Sequence, residues 1–73
     1  MFLFVEVSQA YEAAARSVVR ALGEIDDEGF TQGSTCYGFL VETDHTPAFI
    51  KEALWENEIG WAHAEEAKDG DYE

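Results

Sequence analysis

A chain of 73 residues, 47% hydrophobic and 14% aromatic, makes one small globular domain and is too apolar for a disordered acidic tail. Its formal charge of −12 sets it against direct contact with nucleic acid or anionic membranes, which carry the same sign. The single cysteine, Cys36, excludes an internal disulfide and suits a reducing, cytoplasmic compartment.

Phe2-Leu3-Phe4-Val5-Glu6-Val7 predicts a strand, being rich in β-branched and aromatic residues and free of Gly and Pro. Leu3, Val5 and Val7 share one face of it, and Phe2, Phe4 and Glu6 share the other. The apolar start is too short for a signal peptide and lacks its basic flank, and no run approaches the roughly 20 apolar residues of a membrane span.

Ser8 is expected to cap a helix from about Gln9 to Leu22, in which Tyr11, Ala14, Ala15, Val18 and Leu22, with Ile25 beyond, recur at helical spacing. Gly23 is expected as a left-handed C′ residue. Glu24 to Gly29 reads as an acidic loop. A hairpin follows, with Phe30 and Thr31 as a short first arm, Gln32-Gly33-Ser34 as the turn and Thr35 to Glu42 as the second arm.

Thr46-Pro47 opens a second helix, with Thr46 as cap and Pro47 at the first helical position. Asn57 is expected to end it in the left-handed region. Ile59 to Glu65 alternates large and small residues and reads as a last strand, although Ala62 to Lys68 also has high helix propensity. Residues 1–67 thus form a single α+β domain, and residues 68–73 a flexible acidic tail.

The order β-α-β-β-α-β is the ferredoxin-like plan, an antiparallel sheet with two helices on one face; with a helical end it becomes β-α-β-β-α. On this plan one sheet face stays open. The small residues Cys36 and Gly38, with Leu40, Ala62 and Ala64, are expected beneath the helices. Phe2, Phe4, Tyr37, Phe39, Trp61 and His63 would then form an aromatic interface on the open face. A strand phase shifted by one residue instead sends Tyr37, Phe39 and Val41 into the core.

No catalytic motif emerges. Cys36, His45, His63, Ser34 and Asp44 have the chemistry but no nucleophile pattern, and two His with one Cys lack the spacing of a zinc site. Asp69 to Glu73 lacks the length and second helix of a calcium loop, and no Gly-rich phosphate loop is present. The expectation is a protein that is not an enzyme and needs no cofactor or metal.

The charge is unevenly placed. Residues 1–23 are neutral, with Glu6 and Glu12 against Arg16 and Arg20, and the remaining acids face only Lys51 and Lys68. These acids are the candidate partner-binding residues: Glu24, Asp26, Asp27 and Glu28; Glu42 and Asp44; Glu52 and Glu56; Glu65, Glu66, Asp69 and Asp71. Glu52 and Glu56 leave one helix face about 5–6 Å apart. Carboxylates at such intervals present the field that a nucleic-acid-binding protein expects and steer the chain to its basic groove. Salt adaptation predicts an even spread of acids, against the neutral start observed here.

In size, charge, single-domain form and lack of catalytic residues, the chain resembles the small acidic phage-encoded inhibitors of host defence, the anti-CRISPR and anti-restriction proteins, some of which mimic nucleic acid. The resemblance transfers no functional residue position by position. It implies a host nuclease or CRISPR effector as the partner, met in the host cytoplasm, with the acids docking on Arg and Lys that normally hold nucleic acid. The alternative is a small homodimeric interaction or regulatory module of the same fold, without mimicry.

Overall fold

The computed structural model describes residues 1–30 and 35–67. Four strands, β1 (Phe2–Ser8), β2 (Glu24–Phe30), β3 (Cys36–Glu42) and β4 (Ala62–Glu66), form one antiparallel sheet in the order β2-β3-β1-β4. Two helices, α1 (Glu12–Leu22) and α2 (Pro47–Glu56), cover one face of it. The extents are 31 × 29 × 16 Å. The short dimension holds one sheet and one helix layer, and among the described residues no helix or strand lies on the other sheet face, the open face of the sheet.

Strand alternation decides the layers. Leu3, Val5 and Val7 of β1 stand opposite Val41, Phe39 and Tyr37 of β3, and all six are buried. Ala62 and Ala64 of β4 join them, with Ala15 and Val19 of α1, Ile50 and Leu54 of α2, and Ile59. The fully buried Leu, Val, Ile and Phe side chains among these stabilise the fold by roughly 1.5–3 kcal/mol each. The last segment is a strand, and the helical alternative for it is not adopted.

The β3 phase corrects the sequence reading. Tyr37 and Phe39 point into the core, and Cys36, Gly38 and Leu40 lie on the open face. The reason is volume. Helix α1 supplies small side chains to the core, Ala15 and Val19, which leaves room for large rings on the facing strand. Val19 carries the buried stripe of α1 with Ala15, whereas Ala14 is exposed.

The acidic segment Glu24–Phe30 is an edge strand, not a loop. Asp, Glu and Gly disfavour strands, but pairing with β3 overrides that preference, and charge suits an edge that must resist pairing with other chains. A register shift between Ile25 and Asp27 sets the faces. Ile25, Glu28 and Phe30 oppose Val41, Phe39 and Tyr37 on the helix side, and Glu24, Asp27 and Gly29 oppose Glu42, Leu40 and Gly38 on the open side.

The helix ends follow different rules from those expected. Ser8 closes β1 without a side-chain cap, and the chain enters α1 through a 3-10 turn, Gln9–Tyr11, tied to the residue before β3 by Gln9 N–H donating to Thr35 O at 2.9 Å. Gly23 is extended rather than left-handed. A Cβ there would lie 2.6 Å from the Glu42 carbonyl oxygen, so close approach to β3 is what requires glycine. At α2 the expectation holds: Thr46 Oγ1 accepts from Phe49 N–H at 3.1 Å, with Pro47 at the first position. Its end is shifted by one residue. Asn57 keeps a negative φ and Glu58 takes φ 64°, while Glu58 N–H donates to Trp55 O and Ile59 N–H to Leu54 O, closing a Schellman motif.

Candidate interaction surface

One polar network of the helix layer is committed to structure. Arg16, in the middle of α1, reaches β2, where its Nε donates to Glu28 Oε1 at 2.9 Å and its Nη2 donates to Glu12 Oε2 at 2.8 Å and to Glu28 Oε1. Tyr37 donates its hydroxyl to the same Glu28 oxygen at 2.8 Å. The Arg16 guanidinium also stands 5.8 Å from the Tyr37 ring centre and 5.9 Å from that of Phe39. The Arg16 hydrogen bonds hold Glu28 below its ordinary carboxylate value. The hydrogen bond to Glu28, then burial, pushes Tyr37 up, and Glu28 followed by Glu12 raises Arg16. Glu28 is therefore a structural ion-pair partner and leaves the set of exposed partner-binding acids.

The open face has a different composition. Its side chains come from alternate strand positions. Phe2, Phe4, Glu6 and Ser8 lie on β1, Cys36, Gly38, Leu40 and Glu42 on β3, Glu24, Asp27 and Gly29 on β2, and His63 and Glu65 on β4. One transverse row reads Asp27, Leu40, Phe4, Glu65, with apolar side chains at the centre and a carboxylate on each edge strand. In the next row Glu24 and Glu42 stand directly opposite one another beside Phe2, which is 42% exposed. Like charges so paired repel. Among the described residues this face carries no Lys or Arg; Arg16, Arg20 and Lys51 all belong to the helix layer.

The predicted residues thus divide. Glu24, Asp27, Glu42 and Glu65 share the open face, and Asp26 sits exposed at the register shift beside them. Asp44 lies in the β3–α2 connection, Glu52 and Glu56 on the outer side of α2, and Glu66 opposite Leu3 on the helix side of β4. Asp69 and Asp71, with the rest of the expected tail, lie outside the described residues, as does Ser34. Of the expected aromatic interface, Phe2, Phe4 and His63 do share the open face, while Trp61 is exposed in the connection before β4. Leu40 was expected beneath the helices and lies on this face instead; Glu6 shares the face of Phe2 and Phe4, as the alternation of β1 predicts.

The reactive side chains are dispersed. His45 stacks on Phe49, with ring centres 4.2 Å apart, and His63 Nε2 lies 3.1 Å from Glu65 Oε1. Cys36, on β3, is separated from His63 by the intervening β1. Among the described residues no group of three or more His, Cys, Asp or Glu is placed to hold a metal ion, and no helix is long and apolar enough to cross a membrane. Comparison with protein-family models, curated proteins and solved structures returned no match.

Proposed function

We propose that this chain is a non-enzymatic binding protein that uses the open face of its sheet to occupy the basic groove of a nucleic-acid-handling protein, as an inhibitor of the anti-CRISPR-like, nucleic-acid-mimicking type. The observation that carries the reading is the segregation of charge: five carboxylates, Glu6, Glu24, Asp27, Glu42 and Glu65, on one sheet face, and every described Lys and Arg in the helix layer. Glu24 and Glu42, directly opposite one another, stand about 5 Å apart across strands, with Asp27 beyond the register shift on the same edge strand and Glu65 on the other edge strand. That is a dense, one-signed field fixed on rigid strands, suited to fast, salt-sensitive encounter with a cationic cleft. The ferredoxin-like reading of the fold rests on the central β1–β3 pair and the helices on one face.

The homodimeric alternative fares worse on this face, because a second copy would bring the same carboxylates into opposition. A capture experiment tests the proposal. Immobilised protein incubated with a bacterial lysate is expected to retain proteins that excess duplex DNA elutes, and that a Glu24→Gln, Asp27→Asn, Glu42→Gln variant retains roughly tenfold less well. Retention indifferent to DNA and to the triple substitution would refute it.

A further inference from the structure

We infer that β4 is the seam of a symmetric dimer, in which a second copy of this chain pairs antiparallel with its outer edge and extends the sheet. The seam is independent of the cationic partner proposed above. β4 and β2 are the two edges of the sheet, and among the described residues no strand lies beyond either. The phase of the β4 backbone follows from its pairing with β1. Ala67 N–H donates to Phe2 O at 3.0 Å, one step beyond the Leu3–Glu66 pair. Alternate residues point the same way, so Glu65 and His63 also turn their N–H and C=O towards β1. Ala62, Ala64 and Glu66 turn theirs outward, and the edge presents a ladder of donors and acceptors to another strand.

The side chains select a second copy as that strand. Laid antiparallel on itself about Ala64, the segment Ala62–Glu66 sets Ala64 opposite Ala64 and Ala62 opposite Glu66 as hydrogen-bonded pairs. His63 then stands opposite Glu65 of the second copy, in the non-hydrogen-bonded position where Cα atoms are about 4.5 Å apart. The two-fold axis repeats the pair. Each imidazole, whose Nε2 already lies 3.1 Å from Glu65 Oε1 of its own chain, gains a second carboxylate across the seam, with Glu6 of β1 on its other side. A slip of two residues would oppose Glu65 to Glu65 or His63 to His63, and a slip of one would set outward groups against inward ones. The β2 edge offers no such match: its acids Glu24, Asp26, Asp27 and Glu28 would meet those of a copy across a register shift. Paired residues share a face, so in the dimer both helix layers fall on one side and the two acidic faces join into one surface.

Sedimentation velocity on the full chain tests the seam. At about 0.15 M salt, which cuts the reach of repulsion between two −12 chains to about 8 Å, a concentration-dependent dimer is expected. It should loosen as salt falls, the reverse of binding to a cationic partner. His63→Glu opposes carboxylates across the seam, and Glu65→Lys removes the carboxylates from it. Each variant alone should self-associate roughly tenfold more weakly than wild type. An equimolar mixture of the two should recover the dimer, because the carboxylates of one chain then face His63 and the introduced lysine of the other. The contact within each chain stays broken in both variants, so the recovery reads the seam itself. Ala64→Pro removes an outward N–H and none that pairs with β1; it should be monomeric with an unchanged circular dichroism spectrum. A wild-type monomer at every concentration would overturn the seam. So would a dimer that all three variants leave intact, or a mixture that associates no better than its components.

Discussion

Arg16 gathers Glu12, Glu28 and Tyr37 into one network at the seam between α1 and β2, and the two titrating partners there respond to pH in opposite directions. Glu28 is held below its ordinary value, so its contribution is fully present above about pH 4.5 and is lost as pH falls through the lowered value. Tyr37 is pushed above its ordinary value, so its contribution is present below about pH 10 and is lost as pH rises through the raised value. Glu28→Gln should remove the acid limb. At pH 7 the variant should melt about 4–8 °C lower, corresponding to about 1 kcal/mol for a hydrogen-bonded pair still partly open to solvent. Below pH 4.5 the two melting temperatures should converge. Parallel curves across that range would show that Glu28 is not coupled to Arg16 in the fold.

Element ends give the sharpest local strain. Glu58 is the non-glycine residue with positive φ among those described, and a left-handed conformation costs a side chain with a Cβ roughly 1–2 kcal/mol. Its carboxylate makes the position costlier still, since it sits at the negative end of the α2 dipole. Glu58→Gly should therefore stabilise the fold by about 0.5–1 kcal/mol, after the greater freedom of the unfolded glycine is counted. Gly23→Ala should act in the reverse sense, because its methyl would force the end of β3 away from α1; urea midpoints of the two variants on either side of wild type check both. These two positions also show how far the sequence could be read. The Thr46-Pro47 start was legible because its chemistry is local, a hydroxyl and a ring at adjacent positions. The stop at Glu58 was not, because it depends on Ile59 returning to the core beside Leu54. The strand at Glu24–Phe30 was hidden, and the phase of β3 left open between two faces, for the same reason. Edge pairing and the small side chains of a facing helix decide them, and neither is adjacent in sequence. Of the surface, alternation along β1 gave Phe2 and Phe4, but membership of Asp27 depends on the register shift beside Asp26, and that of Leu40 on the phase of β3 against β1.

At the scale of the whole molecule, the proposed recognition would draw on the same carboxylates that burden stability. A net charge of −12 on 73 residues repels itself, most directly where Glu24 faces Glu42 and where Glu52 and Glu56 share a side of α2. Salt shortens the reach of that repulsion from about 30 Å at 0.01 M to about 8 Å at 0.15 M. The melting temperature should therefore rise by several degrees over that interval, while affinity for a cationic partner falls over the same one. The combined Glu24→Gln, Asp27→Asn, Glu42→Gln variant separates the two effects. It should be more stable than wild type at low salt, lose most of that advantage at high salt, and bind a cationic partner more weakly throughout. Acids kept for contact with a partner impose such a cost on the free chain. A variant less stable than wild type at low salt would mean that these side chains serve the sheet itself, and that the charge on its open face is architecture rather than recognition.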